Sequence, residues 1–482
     1  MSIESVVRPI GCKCELLICT QAPALTVRYC SSVSTIEKWI FRLMYRFMPK
    51  GELYAPVSYD KKQKSIARRA GIAGALGSLV EYYDFSLFGL LAVEFSPLFF
   101  PARNAAVSTL VALSAFGVSY LARPVGGAVL GLLGDRYGRR PVLMATIVVM
   151  GLASGCIGLL PTYSQIGVAA PVLLVVLRLV QGFSAGGELA GATTYAVESA
   201  PAGRRTFYGA IVSSGGSIGF IIAAIAAAVV NFLVAPAQLS AWGWRIPFLL
   251  ALPLAITCLA FRMKIDESPE FSNTATSHGS GRNAIVDVVR KYPIALLKVI
   301  GIAIAAGGSS YIGLVYLSVY LVGTRHFSPT VIYWISSLAI SVEVVTLPGF
   351  GMLSFIVGRR RLLLYSTALM AVLAYPFFAV LSTIDNLVIV AVIYCAYMVV
   401  DSAQKAPLVT EFALMFPSQY RYTGTAMGHN VGAALAGGFS PYIAAQLVLL
   451  TGSPTAPAYW LIGVSAIGVA VLMTMRPFFG SQ

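Results

Sequence analysis

The sequence predicts an all-α membrane protein of about twelve transmembrane helices in two related halves of six. Three observations carry that prediction. Hydrophobic residues make up 57% of the 482-residue chain and charged residues only 11%, where a soluble domain carries about 25% charged residues; the mean hydropathy is +0.80. The apolar runs are long and glycine-rich and lack the ~10-residue alternating segments of an outer-membrane barrel, so they read as helices. They also fall into two sets of six, on either side of a polar stretch at 264–293.

Residues 1–60 stand outside this pattern. The apolar stretch 14–27 holds Glu15, Gln21 and Pro23, falls short of a ~20-residue span, and is followed by no clean signal-peptide cleavage site. Two readings stay open: a short cytoplasmic tail, or an extension from a start upstream of the natural one, with Met44 or Met48 as the alternative initiator. The second is slightly preferred. Regular patterning begins at Lys61. A first bundle over 61–263 is expected to hold spans near 70–98, 106–133, 142–161, 171–197, 206–234 and 243–262. A cytoplasmic linker, 264–293, leads to a second bundle over 294–482, with spans near 294–322, 330–356, 361–383, 386–415, 423–449 and 457–475.

The net charge of +15 does not point to nucleic acid, because the basic residues lie in short connections between spans rather than on one folded face. They report orientation. With the N-terminus inside, the inside connections hold Arg136, Arg139, Arg140, Arg204, Arg205, Lys264, Arg282, Arg290, Lys291 and Arg359–Arg361, whereas the outside ones hold only Arg103, Arg325 and Arg245. Both termini are therefore expected in the cytoplasm, in an inner (plasma) membrane. Of the seven cysteines, Cys12, Cys14, Cys19 and Cys30 cluster near the start without a C-x-x-C pair or a histidine partner, so no metal site is expected. Cys156, Cys258 and Cys395 lie in apolar segments and read as inert core residues.

One polar stretch interrupts the apolar pattern between spans 2 and 3. Residues 131–141, GLLGDRYGRRP, read as a tight loop whose Asp135, Arg136, Arg139 and Arg140 pair with neighbouring helix ends. A related stretch, GMLSFIVGRRR at 351–361, occupies the same place in the second half, with Phe355 and Ile356 standing where Asp135 and Arg136 stand. The halves are related and unequal.

The order G-x-x-x-D-R-x-G-R-R resembles the signature loop between helices 2 and 3 of the major facilitator superfamily. Further stretches resemble one family within it, the metabolite:proton symporters, which carry citrate, 2-oxoglutarate, shikimate, and proline or betaine. They are EYYDFSLFG (81–89), LARPVGG (121–127), RLVQGFSAGGE (178–188), WGWRIPF (242–248) and FPSQYRYTG (416–424). The resemblance implies two six-helix bundles around a central cavity, working by alternating access. Arg178, Gln181 and Gly182 are similar to the superfamily motif R-x-x-Q-G, for which a role in proton transfer is proposed. Three features depart from the family: the missing aspartate at Phe355, His429 in place of the usual tyrosine, and the lack of a long charged helix after Phe479. The last makes osmosensing the less expected role.

An ionisable side chain within a span costs about 2.5–3.5 kcal/mol on insertion scales, so it faces the bundle interior with a partner or a task. Glu81 and Asp84 are three apart, on one helical face. Two carboxylates close together in a low dielectric cannot both ionise readily, which suits proton coupling. Arg178 and His429 complete the proton-coupling candidates. Arg123 presents a planar fork that fits a carboxylate and leads the substrate-binding candidates. The others are Gln181, Tyr83, Tyr316, Tyr320 and Asn430, with stacking or hydrogen bonding as their role. Asp135, Arg136, Arg139, Arg140 and Glu198 are expected to form a cytoplasmic latch that holds the outward-open state. Asp401 and Lys405, four apart, are expected to neutralise each other, and Glu343 either carries a proton or pairs with Lys405.

The chain has neither an H-E-x-x-H helix nor a G-x-S-x-G elbow, so an enzyme is not expected. The reading is a proton-coupled symporter of a small organic acid or zwitterion, such as a di- or tricarboxylate, 2-oxoglutarate, shikimate or betaine. An uncoupled uniporter or exchanger of the same substrates is the alternative. The expected partners are that substrate, protons and the lipid bilayer, with a monomeric protein and no cofactor.

Overall fold

A computed structural model describes residues 61–102, 104–137, 139–188, 205–263, 281–417 and 420–475. The readings made for residues 1–60, for the latch candidate Glu198 and for the segment after Met475 lie outside these. The elements are α1 (Lys61–Leu90), α2 (Ala92–Phe99), α3 (Ala105–Tyr137), α4 (Arg139–Leu159), α5 (Ala169–Ala185) and α6 (Arg205–Leu233). Then come α7 (Pro236–Phe261), α8 (Gly281–Lys291), α9 (Pro293–Gly323), α10 (Pro329–Val357), α11 (Arg359–Thr383), α12 (Leu387–Leu414), α13 (Thr423–Thr451) and α14 (Pro457–Met473). Among the described residues nine helices are long and apolar enough to cross a membrane, and the bent pair α1 and α2 makes a tenth. The shorter apolar helices α5 and α14 complete the twelve.

Local chemistry explains where these helices bend and stop. The first span turns by 71° between Leu90 and Ala92, and the turn swings Phe95 and Phe99 onto Trp244 of α7, with ring centroids at 6.4 and 5.4 Å. The sixth span starts at Pro236 rather than near 243. Proline suits a first helical turn because its missing N–H has no partner there anyway, and a π-turn at Leu239–Gly243 then carries the chain into the WGWRIPF stretch. A second π-turn, Ile312–Tyr316, interrupts α9. Such a turn disturbs the helical ladder, and the hydroxyl of Tyr394 on α12 donates to the carbonyl of Gly313 at 2.6 Å.

The stretch 131–141 is not a separate loop. Helix α3 continues through Asp135 to Tyr137 and α4 begins at Arg139, so its charged residues belong to helix ends; the side chains of Asp135, Arg136, Arg139 and Arg140 lie outside the described residues. In the second half α10 ends at Val357 and α11 starts at Arg359, with Gly358 alone between them at φ +93°. Only glycine adopts that φ without a steric cost.

Helix α8, in the linker, is anchored beside the entry to α13. Tyr420 donates to Asp287 Oδ2 at 2.9 Å, and Lys291 Nζ lies 3.2 Å from the same oxygen. The Tyr420 hydroxyl, and then Lys291, hold the Asp287 carboxyl below its ordinary value. A depressed carboxylate contributes stability above the ordinary range, and that contribution is lost as pH falls through the folded value. Tyr420→Phe is therefore expected to move the Asp287 titration midpoint up, as followed by its side-chain carboxyl NMR shift; an unmoved midpoint contradicts the assignment.

Candidate substrate and proton site

Two buried ion pairs occupy the core of the first half. Arg123 Nη2 on α3 donates to Glu81 Oε1 on α1 at 2.6 Å, and both side chains are essentially without solvent exposure. Arg178 Nη1 on α5 lies 3.9 Å from Asp84 Oδ2. Each carboxylate thus has its own arginine. Ser154 of α4 donates to Asp84, and Gln181 joins the second pair by donating to Ser154 at 3.0 Å and accepting from Arg178 at 3.0 Å. Arg178 also reaches Ser119 at 3.4 Å.

Aromatic rings hold both guanidinium groups. The Arg123 guanidinium lies 4.4 Å from the Phe85 centroid and 4.3 Å from that of Tyr120, and Arg178 lies 4.3 Å from Phe88 and 4.8 Å from Phe85. A desolvated cation–π contact is worth about 2 kcal/mol. Phe85 and Phe88 follow Glu81 and Asp84 one helical turn on, which is why the sequence EYYDFSLF builds both parts of the site. Hydrogen-bond capacity remains unspent: Glu81 Oε2, Asp84 Oδ2, Arg123 Nε and Arg178 Nε are buried without hydrogen-bond partners among the described residues.

The other candidates divide by position. Asn430 of α13 donates to the carbonyl of Gly186 at 2.8 Å, tying the second half to the first beside the Arg123 helix. His429, its neighbour, packs 6.1 Å from Phe412, and its Nδ1 is buried without a hydrogen-bond partner among the described residues. Tyr316 and Tyr320 are buried on α9 with ring centroids 6.0 Å apart, and the Tyr320 hydroxyl has no hydrogen-bond partner among the described residues. Tyr83 stands apart from them: its hydroxyl donates to the carbonyl of Pro247 at 2.7 Å and so joins α1 to α7.

The second half has its own charged core. Lys405 Nζ lies 2.7 Å from Glu343 Oε1 and 3.1 Å from Asp401 Oδ2. The halves also meet through Tyr120 of α3, which hydrogen-bonds Tyr311 of α9, and through Tyr333 of α10, which donates to the carbonyl of Leu90 at 2.8 Å and bonds the carboxyl of Glu94.

Two acidic residues on the apolar helices escaped the sequence reading. Glu94 lies on the short α2, past the 71° bend that brings it to Tyr333. Glu411 takes Arg360 Nε at 2.5 Å and Arg359 Nε at 3.5 Å, clamping the end of α12 to the start of α11. The second half therefore keeps an arginine–carboxylate clamp beside GRRR although Phe355 replaces the aspartate. The paired arginines of GRRR were a signal that a carboxylate lay near; the run V-T-E-F, at the apolar end of the span, hid which one it was.

The chain as a whole is similar to known proteins. The "Sugar (and other) transporter" family matches residues 70–291. The proline/betaine transporter of Escherichia coli (strain K12) is 34% identical over 420 residues, covering 85% of this chain and 83% of its own. The shikimate transporter of the same strain is 33% identical over 422 residues, covering 86% of this chain and 95% of its own. A solved structure of the xylose transporter from E. coli, in a partially occluded inward-open conformation, matches with a TM-score of 0.65 at 15% identity, over 86% of this chain and 100% of that one. That last likeness bears on the fold, two six-helix bundles, and on nothing finer. The chain belongs to the metabolite:proton symporter family of the major facilitator superfamily and is a multi-pass membrane transporter, not an enzyme.

Proposed function

We propose that the protein is a proton-coupled symporter of a small organic acid or zwitterion, working by alternating access. The observation that carries this reading is the buried pairing of Glu81 with Arg123 at 2.6 Å and of Asp84 with Arg178 at 3.9 Å, with carboxylate oxygens and Nε atoms that accept or donate no hydrogen bond among the described residues. A substrate carboxylate that takes over one guanidinium displaces its protein partner. The displaced carboxyl, left in a low dielectric without its cation, takes a proton. Substrate and proton then enter together, and the ion pair is restored once both have been released.

The names of relatives favour a substrate such as proline, betaine or shikimate, each of which carries a carboxylate for an arginine to bind. Arg123 leads substrate binding, with Gln181, Tyr316, Tyr320 and Asn430 as further contacts; Glu81, Asp84, Arg178 and His429 handle the proton. Asp135 with Arg136, Arg139, Arg140 and Glu198 forms the cytoplasmic latch of the outward-open state, in a monomeric protein of the inner (plasma) membrane with both termini on the cytoplasmic side.

An Asp84→Asn variant keeps the size of the side chain and removes the proton acceptor. In proteoliposomes it is expected to exchange substrate across the membrane while losing its response to an inward proton gradient. Uptake by the variant that follows the gradient as the wild type does removes Asp84 from the coupling step.

A further inference from the structure

The charged core of the second half has no task in the reading above, and its charges do not balance. Lys405 supplies one ammonium to two fully buried carboxyls, Glu343 Oε1 at 2.7 Å and Asp401 Oδ2 at 3.1 Å. Ser310 of α9 donates to Asp401 at 2.8 and 3.1 Å, and Ser217 of α6, in the first half, donates to Glu343 Oε1 at 2.9 Å. Among the described residues the other titratable groups within electrostatic reach are the phenols Tyr394 and Tyr397 on α12 and Tyr82 on α1. Phenols are neutral over the working range, so they supply no cation.

With both carboxyls ionised the cluster would bury one uncompensated negative charge, which a low-dielectric interior strongly disfavours. Binding a proton removes it. The two carboxyls are not equivalent candidates. Asp401 receives Ser310 and Lys405, with donors at both of its oxygens. Among the described residues Glu343 receives Lys405 and Ser217 at Oε1 only, and its Oε2 is buried without a hydrogen-bond partner. An oxygen that accepts nothing loses least by taking a proton.

We propose that Glu343 is a second proton-carrying carboxyl of this transporter, seated in the half that does not hold the two arginine pairs. This inference rests on the proton-symport reading. The O–H bond forms at Glu343 Oε2 with a proton delivered by water from one side of the membrane. When the proton leaves to the other side, the carboxylate stays paired with Lys405. Because Ser217 belongs to the first half, the charge on Glu343 also sets how firmly α10 holds α6.

Two measurements on the full-length protein test this. The first needs no substrate: the infrared difference spectrum between acid and alkaline pH should contain a protonated-carboxyl C=O band that disappears in Glu343→Gln. The second is accumulation of labelled proline, betaine or shikimate in proteoliposomes under a pH difference of about one unit, where each coupled proton contributes about a tenfold ratio. Glu343→Gln is expected to accumulate about tenfold less than wild type, to retain exchange in the absence of a gradient, and to recover coupling as Glu343→Asp. Should Glu343→Gln fail to fold, Ser217→Ala keeps the carboxyl and removes one donor to its ionised form, so the band should titrate at higher pH. A band that is unchanged in Glu343→Gln, a Ser217→Ala midpoint that does not move, or accumulation equal to wild type overturns the proposal and leaves symport standing. A wild type that ignores the gradient overturns symport itself.

Discussion

A Gly182→Ala variant is expected to lose most of its folded population in detergent and all of its transport. A methyl group on Gly182 would stand 1.8 Å from the carbonyl oxygen of Ser119, and one on the facing Gly126 would stand 1.9 Å from the carbonyl of Phe183. Helices α3 and α5 therefore cross with their backbones touching, a contact that small residues permit in membrane helices. Overpacking a tight core costs roughly 1–3 kcal/mol when side chains can move aside. A backbone carbonyl cannot move aside, so the cost here lies at or above the top of that range. The crossing also sets Arg178 and Gln181 against Ser119 and Ser154, so a displacement of α5 disturbs the site together with the fold. Gly463→Ala, where the added methyl meets nothing within 4 Å, is the matched control and should melt like the wild type. Equal melting temperatures for both variants would contradict the close crossing.

Arg123→Ala is expected to be nearly as damaging, for an electrostatic reason. It strands the Glu81 carboxylate in a site with essentially no solvent exposure, and breaking a buried pair in this way costs roughly 3–5 kcal/mol. The loss also removes cation–π contacts to Phe85 and Tyr120. Removing both partners in Arg123→Ala/Glu81→Ala leaves no unpaired charge, so the double variant should regain part of the stability while transport stays lost. Thermal melts of the four proteins should give a coupling energy of about 1–3 kcal/mol. Strictly additive effects would mean that the two residues do not act as a pair.

Much of the fold was legible because a bilayer demands a crude signal, some twenty apolar residues per helix. Among the described residues the spans stand close to where hydropathy puts them, apart from the start of α7, where Pro236 and a π-turn add helix ahead of WGWRIPF; the end of the fourth, expected near 197, lies outside those residues. The charged stretch 131–141 looked like a loop because polar residues interrupt the apolar run; charge at a helix end gives the same signal, and α3 and α4 reach into it from both sides.

The candidate site was legible as a set of buried charged residues and less so as a set of pairs. Spacing within one helix put Glu81 with Asp84 and Asp401 with Lys405. It could not say that Glu81 and Asp84, which share a face, turn to arginines 42 and 94 positions further along the chain. Partnership across helices depends on rotation and tilt, which side-chain packing sets and local periodicity does not encode. For the same reason Glu94, Glu411 and Ser217 gave no signal of their own.

The most direct test of the account is uptake by the purified wild-type protein in proteoliposomes, with carboxylates and betaines compared under an imposed inward proton gradient. The account predicts that at least one of them accumulates above its equilibrium level and that a proton-conducting ionophore abolishes the accumulation. Uptake of every transported compound that only equilibrates, at a rate indifferent to the gradient, would contradict it and identify a uniporter or exchanger.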